Sequence, residues 1–313
     1  MKRISFCKFL ILLTVFWANA CFAQPSKILI VNSDNAVYRY EKIASEFKKV
    51  LQQNAYQWVE FNLDSHADTE AELKQLIQQE NPALIYCIGT KAYSLAQNYA
   101  PNKKLLFSAA INWRRLNISE KTYGIANELS SAQEISLLRY FFPAVKTIGL
   151  FYNDKFSREY VETIKKDALA LGINIVNQPI NDAQEIGDAL NELLPKIDMF
   201  WIIPDPVVLS SKEAVQQIFQ SAQQQKKPVY AYSDVFIEQG AVLAISADIA
   251  TIGRQSAGLA LMMDKDKVPV GTVQSPAGST VTLNKCTVDA LQLNFNQDAL
   301  DSVNKIVGCG KHD

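Results

Sequence analysis

Ten polar residues of this chain share one kind of position: each stands at or just past an apolar run that reads as a β-strand. They are Ser33, Asp34, Thr90, Ser108, Asn112, Asn153, Ser157, Asp205, Ser233 and Asp234. Hydroxyls and amides in such places, together with helix N-termini, can receive a carboxylate, and an aspartate can receive an ammonium. A zwitterion such as an amino acid would satisfy the set. The same residue types also cap helices in any α/β protein, and Thr90, Asp154 and Ser157 each precede a helical pattern. Convergence of several loops on one place is what would turn caps into a ligand-binding site.

Machinery for catalysis is not legible. No Gly-x-Ser-x-Gly elbow, Gly-x-Gly-x-x-Gly fingerprint or phosphate-binding Gly-Lys-Ser/Thr follows a strand. The chain holds 2 histidines. His66 sits in the polar stretch Asp64-Ser65-His66-Ala67-Asp68 and His312 is the penultimate residue, so both read as solvated. No catalytic residue is assigned, and no cofactor is expected. Asp154, Asp205 and Asp234 keep a two-carboxylate hydrolase as the weaker alternative. Cys309-Gly310-Lys311-His312 would be half of a metal site, but there are too few further ligands, and no metal is expected. Cys286 and Cys309 are instead a disulfide candidate in an exported chain. Cys87, inside an apolar run, reads as a small buried hydrophobe.

The elements that must hold these residues alternate from residue 27 onward. Strand runs at 27–31, 57–61, 83–88 and 104–110 are separated by helical patterns at 40–53, 69–80 and 90–99. The order then begins again, with strands at 147–152, 174–177, 199–203, 229–231 and 241–247 and helices at 158–171, 183–194 and 212–225. A helical stretch at 131–142, ended by Pro143, lies between the halves. Such alternation implies right-handed βαβ units and parallel sheets covered on both faces. Ligands bind beyond the carboxyl ends of such strands, where the ten residues fall. The tail has a helix at 251–264 and strand runs at 268–273 and 280–283. It is too short for a third domain, so it must add to the first two and cross between them. The expected division is 24–143 with about 249–273 in one lobe, and 144–248 with about 274–313 in the other.

Residues 1–23 read as a signal peptide. Lys2, Arg3 and Lys8 precede an apolar run at 9–17, about half of the ~20 residues a membrane-spanning helix needs. Small residues follow, with cleavage expected after Ala23 or Ala20 and lipid attachment at Cys21 as a third route. Losing the segment removes three positive charges and no negative ones, turning a net charge of −1 into about −4. No basic cluster remains, which argues against a nucleic-acid partner.

The chain resembles the ABC-transporter substrate-binding family typified by tryptophan- and tyrosine-type binding proteins. The resemblance rests on Gly89-Thr90-Lys91-Ala92, Phe107-Ser108-Ala109, residues 142–149 with Tyr152-Asn153, and Pro204-Asp205. It continues through residues 227–234, Gly240-Ala241, Ala247-Asp248 and Ile252-Gly253-Arg254-Gln255. It implies a type I periplasmic binding protein fold: two Rossmann-like lobes with parallel sheets, joined by a hinge crossed several times. It further implies a monomer in the periplasm that catalyses nothing and captures a small ligand between its lobes for an ABC permease. By that similarity Thr90 and Ser108 would help hold a carboxylate and Ser157 would reach in from the second lobe. Asp205 would meet an amine, while Asn153 and Asp234 would line the wall. Members often carry Asp-Pro where this chain has Asn112-Trp113, and a histidine-containing opening where it has residues 33–38. Those departures keep an envelope sensor, with a partner other than a permease, as the alternative.

Overall fold

The order of elements dictates two open sheets, and a computed structural model describing residues 27–66, 68–269 and 271–309 shows how they are joined. The expected signal peptide, with Cys21, and His312 lie outside the described residues. The first half contains β1 (Ile28–Asn32), α1 (Tyr38–Gln53), β2 (Trp58–Asn62), α2 (Thr69–Glu80), β3 (Leu84–Ile88), α3 (Thr90–Tyr99), β4 (Lys104–Ser108) and β5 (Thr122–Ile125). Helix α4 (Ser131–Phe141) follows. The second half contains β6 (Thr147–Tyr152), α5 (Asp154–Ala170), β7 (Asn174–Pro179), α6 (Ile186–Leu193), β8 (Met199–Ile202), α7 (Lys212–Gln224), β9 (Val229–Ala231) and β10 (Leu243–Ala247). The tail supplies α8 (Ile249–Asp264), β11 (Val273–Gln274), β12 (Ser279–Asn284), α9 (Lys285–Ala290) and β13 (Lys305–Val307).

One sheet has the order β11-β5-β4-β3-β1-β2 and the other β13-β12-β10-β9-β8-β6-β7. Strands β1 and β3 are buried along their whole length, as continuous apolar runs covered by helices on both faces should be. Helix α1 turns Ile43, Phe47 and Leu51 inward at helical spacing, while α4 lies against α5 of the second half. The sheets are mostly parallel. The exception is β12, which runs antiparallel to β10. It is reached from β11, a strand of the other sheet, through residues 275–278.

The chain passes between the sheets after β5, returns between β10 and α8, and passes again between β11 and β12. These passages lie side by side. The Ala126 N–H donates to the Gln274 carbonyl at 2.8 Å, and the Asp248 N–H to the Gly278 carbonyl at 3.0 Å. A hinge made of neighbouring short segments lets two packed units move as bodies. At the far end of the second sheet Cys286 and Cys309 are joined in a disulfide across 23 positions. By the chain-entropy account a loop of this length contributes about 3 kcal/mol.

Helix α8, although it follows the second sheet, packs on α1 of the first. Gly253 makes that contact close: a Cβ there would lie 2.5 Å from the Ile43 carbonyl oxygen and 2.8 Å from Glu46 Cβ. Backbone cannot swing aside as a flexible side chain can. Gly253→Leu is expected to destabilise the protein by about 2–3 kcal/mol, measured by urea unfolding; an unchanged midpoint would show that the two helices can separate freely.

Candidate functional site

Strands β1–β5 of one sheet and β6–β10 of the other present their carboxyl ends to the gap between the halves. On the first side, Gly89 turns the chain from β3 into α3 with φ +90°, and a Cβ there would meet Ser33 Oγ at 2.5 Å. Ser33 can approach so closely because its Oγ accepts the Ala92 N–H at 3.0 Å in the first turn of α3. Thr90 Oγ1 accepts the Ile111 N–H at 3.3 Å and so tethers the loop after β4. Asp34 Oδ1 accepts the Ala36 N–H at 2.9 Å within its own turn. Ser108 is wholly buried and shares a 2.6 Å hydrogen bond with the Tyr86 hydroxyl. Asn112 takes a left-handed conformation, φ 52°, and its N–H donates to Glu128 Oε1 at 3.3 Å.

On the second side the polar residues form one network. Asn153 caps α5 by accepting the Lys155 N–H, and its Nδ2 donates to the Ile180 carbonyl at 2.7 Å. Asp205, 1% exposed, is the centre. Its Oδ2 accepts the Asn153 N–H at 2.7 Å and the Ser157 hydroxyl at 2.6 Å. Its Oδ1 accepts the N–H groups of Val207 and Val208 at 2.9 and 3.1 Å. A carboxylate offers about four acceptor sites, and all are filled from within the protein. Ser233 is partly buried, with its carbonyl accepting the Phe236 N–H, and Asp234 is exposed.

A cavity of about 440 Å³ lies where the two sides meet. Arg114, Arg115 and Glu128 line it from the first side, and Phe156, Ser157 and Tyr160 of α5 from the second. Of the ten residues singled out in the sequence, Asn112 and Ser157 line this cavity; Ser33, Thr90, Asn153 and Asp205 are bonded into the loops that shape it. A larger hollow of about 760 Å³ sits against α7. Its walls come from the second half alone, with Gln216, Gln220 and Gln223 along one side, so it lacks the two-sided geometry.

Charge is the cavity's distinguishing feature. The Arg114 guanidinium lies 4.9 Å from the Trp113 ring centre and 5.1 Å from that of Tyr160. The Arg115 guanidinium lies 4.3 Å from the Phe156 ring centre. The contacts with Tyr160 and Phe156 join the loop after β4 to α5; both arginines are exposed, and an exposed contact of this kind contributes about 0.5–1 kcal/mol. Arg39, at the start of α1, donates to Asn127 Oδ1 at 2.5 Å and leaves its Nε buried without a partner. Burial holds the Arg39 guanidinium below its ordinary pKa, against the pull of Glu128. Desolvation pushes the Glu128 carboxyl above its ordinary value, although backbone hydrogen bonds and Arg114 and Arg39 act the other way. Neither Glu128 nor these two arginines forms an ion pair among the described residues.

Sequence reasoning missed Glu128, Arg39, Arg114 and Tyr160. The signal for Glu128 was its place three residues after β5, but Thr122–Ile125 is a four-residue strand containing a glycine and did not stand out as one. Among the described residues no group of three His, Cys, Asp or Glu could hold a metal, and no helix is long and apolar enough to cross a membrane.

Two crossover-built α/β lobes, hinged by adjacent segments around a cleft at their strand ends, are the architecture of a type I periplasmic binding protein. The chain belongs to the ABC transporter substrate binding protein family, whose pattern it matches over residues 30–307. It is 22% identical over 272 residues to a tyrosine-binding protein of Clostridioides difficile (strain R20291), covering 81% of this chain and 77% of that one. Its fold is similar to the ligand-free, open structure of a substrate binding protein with adhesive properties from Clostridium difficile. That match has a TM-score of 0.72 and 20% identity, over 91% of this chain and 100% of the other. It is similar also to an ABC domain in complex with L-Trp from Streptococcus pneumonia, with a TM-score of 0.60 and 18% identity, over 90% of this chain and 100% of that one.

Two tests follow from the buried acids. Asp205→Asn puts an amide NH2 against hydrogen-bond donors and should cost about 3 kcal/mol in chemical denaturation; a loss below about 1 kcal/mol would show that the loops do not depend on this carboxylate. Glu134 of α4 is buried, with its Oε1 accepting the Tyr230 hydroxyl at 2.5 Å and its Oε2 that of Tyr160 at 3.3 Å. Burial pushes its carboxyl up to about 8. The folded protein then holds a proton that the unfolded chain has lost, between about pH 4.5 and 8. Its contribution to stability therefore falls as pH rises through that window, by up to ~1.4 kcal/mol per unit. Glu134→Gln is expected to remove this slope in denaturation series from pH 5 to 9; a slope identical to the parent's would assign the dependence elsewhere.

Proposed function

We propose that this chain is exported and captures a small solute, an amino acid or a similar zwitterion, in the interlobe cleft for delivery to an ABC permease. The carrying observation is the 440 Å³ cavity formed by loops of both lobes, with charged groups that the protein leaves unpaired. A volume of this order suits a ligand of small-molecule size. The relatives support the class, one being a tyrosine-binding protein and another a domain solved with L-Trp.

In this reading Asn112 and Ser157 touch the ligand, one from each lobe. Ser33, Asp34, Thr90, Ser108, Asn153 and Asp205 set the loop geometry, and Ser233 and Asp234 stand at the rim. With α4 seated on α5, the hinge falls at residues 126–130, near 248 and at 275–278. Closure of the lobes buries the solute, and no bond is made or broken.

A thermal-shift screen of the mature protein against amino acids, short peptides, sugars and nucleosides tests the proposal. A solute at 100 times its dissociation constant should add ~2.7 kcal/mol of stability. Uniformly flat melting across that set would overturn small-solute capture.

A further inference from the structure

Three carboxylates with buried oxygens stand at the cleft, and they differ in what they have left to offer. Asp154 Oδ1 is buried without a hydrogen-bond partner, but its Oδ2 accepts from Arg158, which supplies the counter-charge. Asp205 accepts four hydrogen bonds from its own lobe, which leaves no lone pair for a ligand. Glu128 lines the cavity. Its Oε1 accepts the Asn112 N–H, while its Oε2 is buried without any hydrogen-bond partner. A buried, unpartnered carboxylate oxygen is costly, and native structures keep such a group where something else completes it.

We propose that Glu128 is the residue that receives the ammonium of the cleft ligand, and that the ligand is a zwitterion whose anionic end faces Arg114. The inference rests on the cleft-binding reading above. An ammonium brings three N–H donors and a full positive charge to an oxygen that has neither. Arg114 does not take that place itself, because its guanidinium is held between the rings of Trp113 and Tyr160. Arg39 does not take it either, its terminal nitrogen being bonded to Asn127. Arg114 lines the same cavity as Glu128, and neither forms an ion pair among the described residues. A ligand carrying both signs gives each of them a partner. Asp205, the acid that family resemblance assigns to the amine, instead holds α5 and the loop after β8 in place.

The test is isothermal titration of the mature protein with the twenty common amino acids, putrescine, succinate and glucose. For each amino acid that binds, its des-amino carboxylic acid is titrated as well. The expected result is binding of at least one amino acid, with its des-amino analogue at least 100-fold weaker. Glu128→Gln, which keeps an acceptor for the Asn112 N–H, should weaken the amino acid at least 30-fold and leave the analogue unchanged. The comparison of analogue with amino acid needs only the parent protein, so it decides the matter even if the variant does not fold. Equal affinity for an amino acid and its analogue, or full affinity in a folded Glu128→Gln variant, would overturn the inference while leaving solute capture intact. Binding of succinate, glucose or putrescine in place of amino acids would do the same. Silence across the whole series would overturn both.

Discussion

A parallel strand can be joined to its neighbour only by a crossover that returns the chain to the starting edge of the sheet. The loops that follow β1–β5 in one sheet and β6–β10 in the other therefore emerge on one edge of each sheet, while β12 and β13 run the other way. In this protein that constraint operates twice, and the side-by-side passages between the sheets turn the two edges toward one another. Residues as distant in sequence as Asn112, after β4, and Pro204, after β8, then line one cavity.

The polar groups gathered there divide into those spent on building and those left over. Asp205 is the clearest of the first kind: one carboxylate fixes the start of α5 and the turn after β8 by collecting four donors. Ser33, Thr90 and Asn153 do similar work for single loops. Glu128 Oε2 and Arg39 Nε belong to the second kind, buried and without partners. A folded protein satisfies nearly all of its buried polar groups; of the leftovers Glu128 and Asp154 line the cavity, while Trp201 Nε1 and Ser256 Oγ lie elsewhere.

Cation–π contacts join the two sides of the cleft directly. Arg114 on Tyr160 and Arg115 on Phe156 tie the loop after β4 to α5 across the opening. Separating the lobes would break both contacts, so residues outside the hydrogen-bonded network also hold the two sides together. Glu134, buried beside Tyr160 and Tyr230, is placed where α4 meets the second lobe, and burial raises its carboxyl above the ordinary value.

Much of the architecture was legible in the sequence because strands buried on both faces must be apolar throughout, as in 28–31 and 84–88, and helices must show one apolar face, as in Ile43, Phe47 and Leu51. Helix α2 was expected at 69–80 and occupies Thr69–Glu80. Short elements were harder to see: β5, β13 and α9 have too few residues to display a period, and α5 begins at Asp154, four residues earlier than its apolar spacing suggests, because Asn153 caps it there. The ten site candidates were found by position after a strand, and position alone does not separate a residue that caps a loop from one that faces a ligand. That distinction depends on whether each oxygen already has a donor, and donors such as the Val208 N–H for Asp205, or the Asn112 N–H for Glu128, come from elsewhere in the chain. The order of apolar runs thus determined two α/β lobes with polar loops at one edge. Only tertiary structure decided which acid is spent and which is free, because hydrogen bonds are counted in space and not along the chain.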